Sequence, residues 1–284
     1  MMLPVVARTR AELHDALSGA GKISLVPTMG ALHGGHVQLL KHALPLGDTL
    51  VASIFVNPTQ FALGEDFTTY PRTMDEDLRL CAEAGVSVVF APTLETMYPH
   101  GIDGGVTIDP GPLGTILEGK TRPTHFRGVL TVVAKLFGLL EPDFAVFGEK
   151  DYQQLTLIRL MAQGLCMDTE VVGCPTVREA DGLAMSSRNR FLDYRERKQA
   201  VALSRALDAG LAHAADGAES VLAAAREVID GATGIDLDYL VLTDPFLGDL
   251  ALEETAEGLA ARLLIEGRVG ATRLIDNAGL TLGS

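Results

Sequence analysis

The sequence predicts an α/β protein, a Rossmann-like doubly wound parallel sheet followed by a smaller α+β C-terminal domain. Three observations predict it. Short apolar runs alternate with stretches of helical periodicity from about residue 23 to residue 172, as a parallel sheet with helices on both faces requires. Apolar residues make up 47% and charged residues 21% of 284, which supplies a core and argues against intrinsic disorder. After roughly residue 177 the alternation gives way to Ala-rich helical segments and strand-like runs separated by turns. The expected division is therefore residues 1–177, a nucleotide- and substrate-binding sheet domain, and residues 178–284, a smaller domain. No Pro/Ser-rich linker marks the join.

The elements follow in order. Thr9 and Glu12 form a Thr-x-x-Glu capping box that opens a short helix, and Gly19 closes it. Residues 23–26 read as the first strand, 30–35 as a glycine-rich turn, and 36–44 as a helix. Residues 49–56 are the next strand, 74–84 a helix ended by Gly85, and 86–90 the third strand. Residues 91–125 are rich in Gly, Pro and Thr, long for a plain connection and suggestive of a functional loop. Residues 126–140 then read as a helix, 144–147 as a strand, 152–163 as a helix and 170–172 as a strand. In the second part 194–209 and 220–229 are helical, and 237–243, 261–266 and 272–276 are strand-like.

Charge and cysteine usage exclude several classes. The net charge of -14 repels a phosphodiester backbone unless a basic face is segregated, so no nucleic-acid partner is expected. The acidic excess lies toward both ends. Between residues 118 and 190, nine Lys/Arg balance nine Asp/Glu, which suits either reception of a small anion or an ordinary mixed surface. Cys81, Cys166 and Cys174 form no CxxC pair and no metal-spaced cluster with histidine, which fits a reducing compartment without structural zinc. Residues 1–10 lack the basic flank and apolar core of a secretory signal. The most apolar stretch, 128–140, contains Lys135 and is too short to span a bilayer. A cytoplasmic protein without a membrane partner is expected.

Four segments carry chemistry, each where a strand or loop meets a helix. The first is Pro27-Thr28-Met29-Gly30-Ala31-Leu32-His33-Gly34-Gly35-His36. Its glycines let backbone approach a phosphate, a helix start presents free N–H groups, and two imidazoles three residues apart can reach one phosphate chain. A tight turn with two surface histidines would look the same. The second is Phe55-Val56-Asn57-Pro58-Thr59-Gln60-Phe61, whose amides beside a Pro-fixed turn suit hydroxyl or carboxylate groups, or simply a strand exit. The third, Phe147-Gly148-Glu149-Lys150-Asp151-Tyr152-Gln153-Gln154, puts Lys150 against the dipole of a helix start, a placement that an anion would reverse in sign. Asp151 there is also a natural N-cap. The fourth, Met185-Ser186-Ser187-Arg188-Asn189, offers hydroxyls and a guanidinium to a triphosphate, or is simply a polar loop. No GxGxxG follows a strand and no GxxxxGK[ST] is present, so dinucleotide and P-loop readings are weak. The acids Asp75, Glu76 and Asp77 read as an exposed first helical turn, or as a group that supports the site from behind.

These strings resemble the pantothenate synthetase (pantoate–β-alanine ligase) family of the adenylate-forming HxGH nucleotidyltransferases. Glu118-Gly119-x-x-Arg122-Pro123-x-His125-Phe126-x-Gly128-Val129 resembles that family too, and the likeness runs from about residue 22 to 195. The resemblance implies ATP-dependent ligation of pantoate and β-alanine to pantothenate, a coenzyme A precursor. It implies a pantoyl adenylate intermediate, release of AMP and pyrophosphate, Mg²⁺ accompanying ATP, and a homodimer. It puts ATP on Met29, Gly30, Ala31, Leu32, His33, Gly34, Gly35 and His36, with His36 the catalytic imidazole. It also puts ATP on Gly148, Glu149, Lys150 and Asp151, on the backbone of Val177, and on Met185, Ser186, Ser187 and Arg188, with the second domain closing over it. Gln60 would hold pantoate and later β-alanine, and Gln154 pantoate. Which residues ligate the metal is left open.

Overall fold

The computed structural model describes residues 2–61, 67–250 and 258–283. It comprises two compact units, Met1–Gly148 with Gln153–Cys174, and Glu149–Tyr152 with Pro175–Ser284. Among the described residues the first unit holds six parallel strands: β1 (Val5–Ala7), β2 (Ile23–Thr28), β3 (Thr49–Ile54), β4 (Val88–Phe90), β5 (Phe144–Gly148) and β6 (Glu170–Cys174). Their order is β1-β4-β3-β2-β5-β6, and every pairing is parallel. The chain steps outward from β2 to β3 to β4, then returns to lay β5 on the other side of β2. The sheet therefore switches direction between β2 and β5, the place where doubly wound sheets open a crevice at the strands' carboxyl ends.

The middle strands are apolar on both faces because helices cover both. Leu25, Val26, Val51, Ala52, Ala145 and Val146 are fully buried. The helices are α1 (Arg10–Ala16), α2 (Gly34–Ala43), α3 (Met74–Glu83), α4 (Leu94–Met97), α5 (Glu118–Thr121), α6 (His125–Leu140) and α7 (Tyr152–Gly164). The capping box at α1 is present: Thr9 Oγ1 accepts from the Glu12 N–H and the Glu12 carboxylate accepts from the Thr9 N–H, each at 3.2 Å. Two features differ from the sequence reading. Strand β1 was not expected, because three residues at the edge with an exposed Val5 show no periodicity. The segment 91–125 holds α4, a 3-10 turn at Pro112–Thr115 and α5, all too short to register as helical pattern.

The second unit packs α8 (Tyr194–Ala212) and α9 (Ala218–Asp230) on an antiparallel meander of β7 (Ile235–Thr243), β8 (Leu259–Val269) and β9 (Thr272–Leu282). Leu203, Leu207, Val221, Leu263 and Ile265 form its core. Strands β8 and β9 run on past the expected limits, paired from Val269↔Thr272 to Leu259↔Leu282. The apolar pattern breaks at Glu266, yet Glu266 is buried and ion-paired with Arg273 of β9, so the strand continues through it.

Cys81 and Cys174 are buried and Cys166 is exposed, all as free thiols. Burial, with the neighbouring Asp77 charge adding, pushes the Cys81 thiol up to about 12, so it acts as core packing. Among the described residues no helix is long and apolar enough to cross a membrane.

Candidate active site

Strand β2 delivers the chain to Met29 at the edge where the sheet reverses. The Thr28 hydroxyl donates to Ser53 O at 2.8 Å and accepts from the Gly30 N–H at 3.1 Å. Gly30 (φ +79) and Ala31 (φ +50) then turn in the left-handed region. For Ala31 that conformation costs about 1–2 kcal/mol, so something must hold it. The holder is Asp77 of α3. Its Oδ2 accepts from the Ala31 N–H at 3.0 Å and its Oδ1 from the Leu32 N–H at 2.7 Å. The Thr73 hydroxyl also donates to Oδ1, at 3.2 Å.

Asp77 is 1% exposed, which corrects the expectation that all three acids of this turn face solvent. An acidic first turn is the ordinary complement of a helix dipole, and that signal masked the other. Asp77 also falls in the apolar stripe of α3, three residues after Met74 and four before Cys81. A carboxylate in a buried stripe needs partners.

The two histidines then cap α2 for each other. His33 Nδ1 accepts from the Gly35 N–H at 3.1 Å, and His36 Nδ1 accepts from the His33 N–H at 3.3 Å. Their rings lie 4.1 Å apart between centroids. A ring nitrogen that accepts a hydrogen bond carries no proton, so in each ring the proton sits on Nε2. Both histidines thus carry Nε2–H donors, at a helix start whose first two residues are glycines and where anions are favoured.

Gln60 stands beside this turn. Its Nε2 donates to Met29 Sδ at 3.0 Å and its Oε1 accepts from Asn57 Nδ2 at 3.1 Å. Asn57 is 1% exposed. It is spent on the scaffold rather than offered to a ligand: Nδ2 also donates to Gly128 O at 3.2 Å, and Oδ1 accepts from the Tyr98 hydroxyl at 2.7 Å. The Gln60 carbonyl accepts from His125 Nδ1 at 2.9 Å and from Arg122 at 3.4 Å. A Cβ on Gly128 would lie 2.2 Å from Thr59 O, so only glycine lets α6 lie this close to the 58–60 turn. The Glu118–Val129 string is therefore the frame on which Gln60 rests.

Gln154 is half-buried in the first turn of α7. Its neighbour Gln153 is buried and pins the 113–118 segment. Gln153 Oε1 accepts from the Glu118 N–H, and Nε2 donates to Leu113 O and Ile116 O. The sequence reading missed this role, which no local pattern announces.

The second unit gathers the remaining residues by its own contacts. Glu149, Lys150 and Asp151 form a 3-10 turn, with Lys150 Nζ 3.6 Å from the Asp151 carboxylate. Val177 O accepts from the Met185 N–H at 2.8 Å. Arg178 pairs with Ala184 as an isolated bridge, closing a small hairpin. Ser186 caps the turn Ser187–Phe191, its Oγ accepting from the Arg188 N–H at 3.2 Å. Asn189 ties this turn back to the hairpin through Glu179 at 2.6 Å and Ala184 O at 3.0 Å. Arg197 binds Glu179 and Asp181. The Arg197 hydrogen bond, working against burial and helped by Asn189, holds the Glu179 carboxyl below its ordinary range.

Met29 to His36, Gln60, Gly148 and Gln154 thus lie in the first unit. Glu149, Lys150, Asp151, Val177 and Met185 to Arg188 lie in the second.

The family model for pantoate-beta-alanine ligase matches residues 4–279. The chain belongs to the pantoate–β-alanine ligase family. A pantothenate synthetase of Nocardioides sp. is 54% identical over 292 residues, covering 99% of this chain and 86% of that one. The crystal structure of pantothenate synthetase from Thermus thermophilus is similar at a TM-score of 0.89 and 45% identity, over 96% of this chain and 98% of that one. A pantoate-beta-alanine ligase from Francisella tularensis, solved with beta-gamma ATP and beta-alanine, has a TM-score of 0.77 and 34% identity, over 97% of each chain. The sheet expected from the sequence is the sheet of this ligase family.

Proposed function

We propose that the chain condenses pantoate with β-alanine to form pantothenate, using ATP and passing through pantoyl adenylate. The observation that carries the proposal is the His33–His36 pair, whose Nδ1 atoms are both taken by backbone N–H groups. Each ring is thereby fixed as an Nε2–H donor at the start of α2.

The chemistry answers a simple difficulty, since a carboxylate does not acylate an amine at neutral pH. A pantoate carboxylate oxygen attacks the α-phosphorus of ATP, and the bond from that phosphorus to the bridging oxygen breaks. Charge collects on the departing pyrophosphate, where His36, Lys150 and Arg188 are assigned to receive it. His33, Ser186 and Ser187 are assigned to the phosphates, Val177 to adenine, and Gln60 and Gln154 to pantoate. The β-alanine amine then attacks the acyl carbon of the mixed anhydride, AMP leaves, and the amine loses a proton. No side chain is required as nucleophile.

Among the described residues no group of three or more His, Cys, Asp or Glu could hold a metal ion. Mg²⁺ would accompany ATP, as the family resemblance implies, and would neutralise phosphate charge when bound. A homodimer is proposed from the family resemblance, and a cytoplasmic location from the sparse cysteines, which form no CxxC pair.

Pantoate alone should support exchange of labelled pyrophosphate into ATP, because adenylation precedes amine entry. Exchange that appears only with β-alanine present would sink the ordered scheme. With both substrates AMP should be released; a product that keeps the nucleotide would instead indicate a nucleotidylyltransferase.

Gln60→Ala should weaken use of pantoate about tenfold to hundredfold, the effect of roughly 1–3 kcal/mol for removing a partner from a desolvated polar ligand. ATP affinity should hardly change. Calorimetry showing equal losses for both ligands would remove Gln60 from the pantoate subsite.

A further inference from the structure

Strand β9 carries two consecutive polar residues, Asp276 and Asn277, each 3% exposed. Buried polar groups in a strand are costly unless fully paired, so their partners explain their presence. Asn277 Nδ2 donates to both Glu149 O (2.9 Å) and Lys150 O (2.8 Å). Its Oδ1 accepts from Arg262 Nε at 2.8 Å, and Arg262 continues to the Glu149 carboxylate at 3.1 Å. The Arg262 guanidinium also stacks 3.8 Å over the Tyr152 ring. Asp276 grips Arg178 through two bonds, at 2.6 and 3.1 Å. Arg178 opens the hairpin that leads into Met185, Ser186, Ser187 and Arg188, and it also donates to Gly182 O at 3.1 Å.

Adjacent residues of one strand therefore hold both segments that the second unit devotes to the nucleotide. We infer that Asp276 and Asn277 are positioning residues for adenylation, fixing the Glu149–Asp151 turn and the Met185–Arg188 turn in one rigid frame. The inference rests on the assignment of Lys150 and Arg188 to the ATP phosphates. It gives the C-terminal sheet a part in the reaction although neither residue need touch a substrate. Two carbonyls gripped by one amide fix both position and orientation of the turn, and misplacement by about 1 Å costs on the order of a hundredfold in rate.

The test is a double-mutant cycle on pantoate-dependent pyrophosphate exchange. Asn277→Asp keeps the shape and the acceptor for Arg262 but sets an oxygen against two carbonyls. It should slow exchange about tenfold or more and raise the KM for ATP, with the KM for pantoate unchanged. Synthetic pantoyl adenylate with β-alanine should still react within a fewfold of wild type. In a Lys150→Ala background the same substitution should cost less than about twofold, because the group it positions is gone. Asp276→Asn should behave in the same way against Arg188→Ala. Losses that multiply in both backgrounds, or that fall equally on both half-reactions, would overturn the positioning role. If Asn277→Asp fails to fold, Asn277→Ser, smaller and uncharged, carries the same cycle. A wild-type enzyme without pantoate-dependent exchange would refute the functional reading itself. Normal exchange by Asn277→Asp would refute only the inference.

Discussion

His36→Asn should slow formation of pantoyl adenylate by about 10²–10³, the scale for loss of one donor to a developing negative charge. The substitution is chosen for its geometry. Asn carries an oxygen at the distance from Cβ where His carries Nδ1, so it can keep the bond to the His33 N–H while removing the Nε2–H. The second half-reaction expels AMP, whose departing charge sits on a different oxygen. Supplying synthetic pantoyl adenylate with β-alanine should therefore bypass most of the defect. His36→Gln, which puts an N–H near the position of Nε2, should recover part of the lost rate. Single-turnover rates for each half-reaction, with thermal stability checked in parallel, decide the matter. Equal losses in both steps would make His36 a structural cap and nothing more.

Asp77→Asn should lower adenylation roughly a hundredfold without touching any substrate. The carboxylate receives two backbone N–H bonds, one on each oxygen. Asn has one acceptor oxygen, so one N–H must face an amide that also donates. A hydrogen bond to a charged group contributes about 1.5–3 kcal/mol, and an unsatisfied buried donor costs on the same order. That loss falls on a turn where Ala31 already holds an unfavourable backbone conformation. The turn should relax and carry His33 and His36 away from the phosphates. The KM for ATP should rise while the KM for pantoate holds. Asp75→Asn, on the exposed side of the same helical turn, serves as the control and should leave both unchanged. Identical behaviour of the two variants would show that the carboxylate of Asp77 does not set the turn.

The sequence made the sheet and the four chemical segments legible because local rules write them. Buried parallel strands are short apolar runs, glycine and proline punctuate their exits, and chemistry in such sheets gathers at those exits. His33, His36, Gln60 and Lys150 stand at such punctuation, whereas Arg188 lies in a 3-10 turn of the second unit. What stayed hidden is the support beneath them. Asp77 reaches Leu32 across 45 residues, Gln153 reaches Glu118 across 35, and Asn57 reaches Gly128 across 71. Such bonds are decided by tertiary packing, and no window of sequence contains both partners. Asn57 shows the opposite error. Its amide looks suited to a ligand in a loop string, and only its burial reveals that both ends are already engaged. Strand β1 was missed for another reason, since three residues carry too little pattern to separate an edge strand from coil.

The anchoring of Lys150 by β9 also sets an order of events during synthesis. The Lys150 carbonyl and the amide of Asn277 are 127 residues apart along the chain. At elongation rates of about 5–20 residues per second, roughly 6–25 seconds separate their appearance. Within that interval the parallel sheet can form, since its last strand, β6, is complete at Cys174. The turn that carries Lys150 exists but still lacks its bonds from Asn277. A nascent chain can therefore form its sheet before the turn proposed for the triphosphate is anchored. Fragments that stop short of β9 should accumulate as folded sheets with little affinity for ATP.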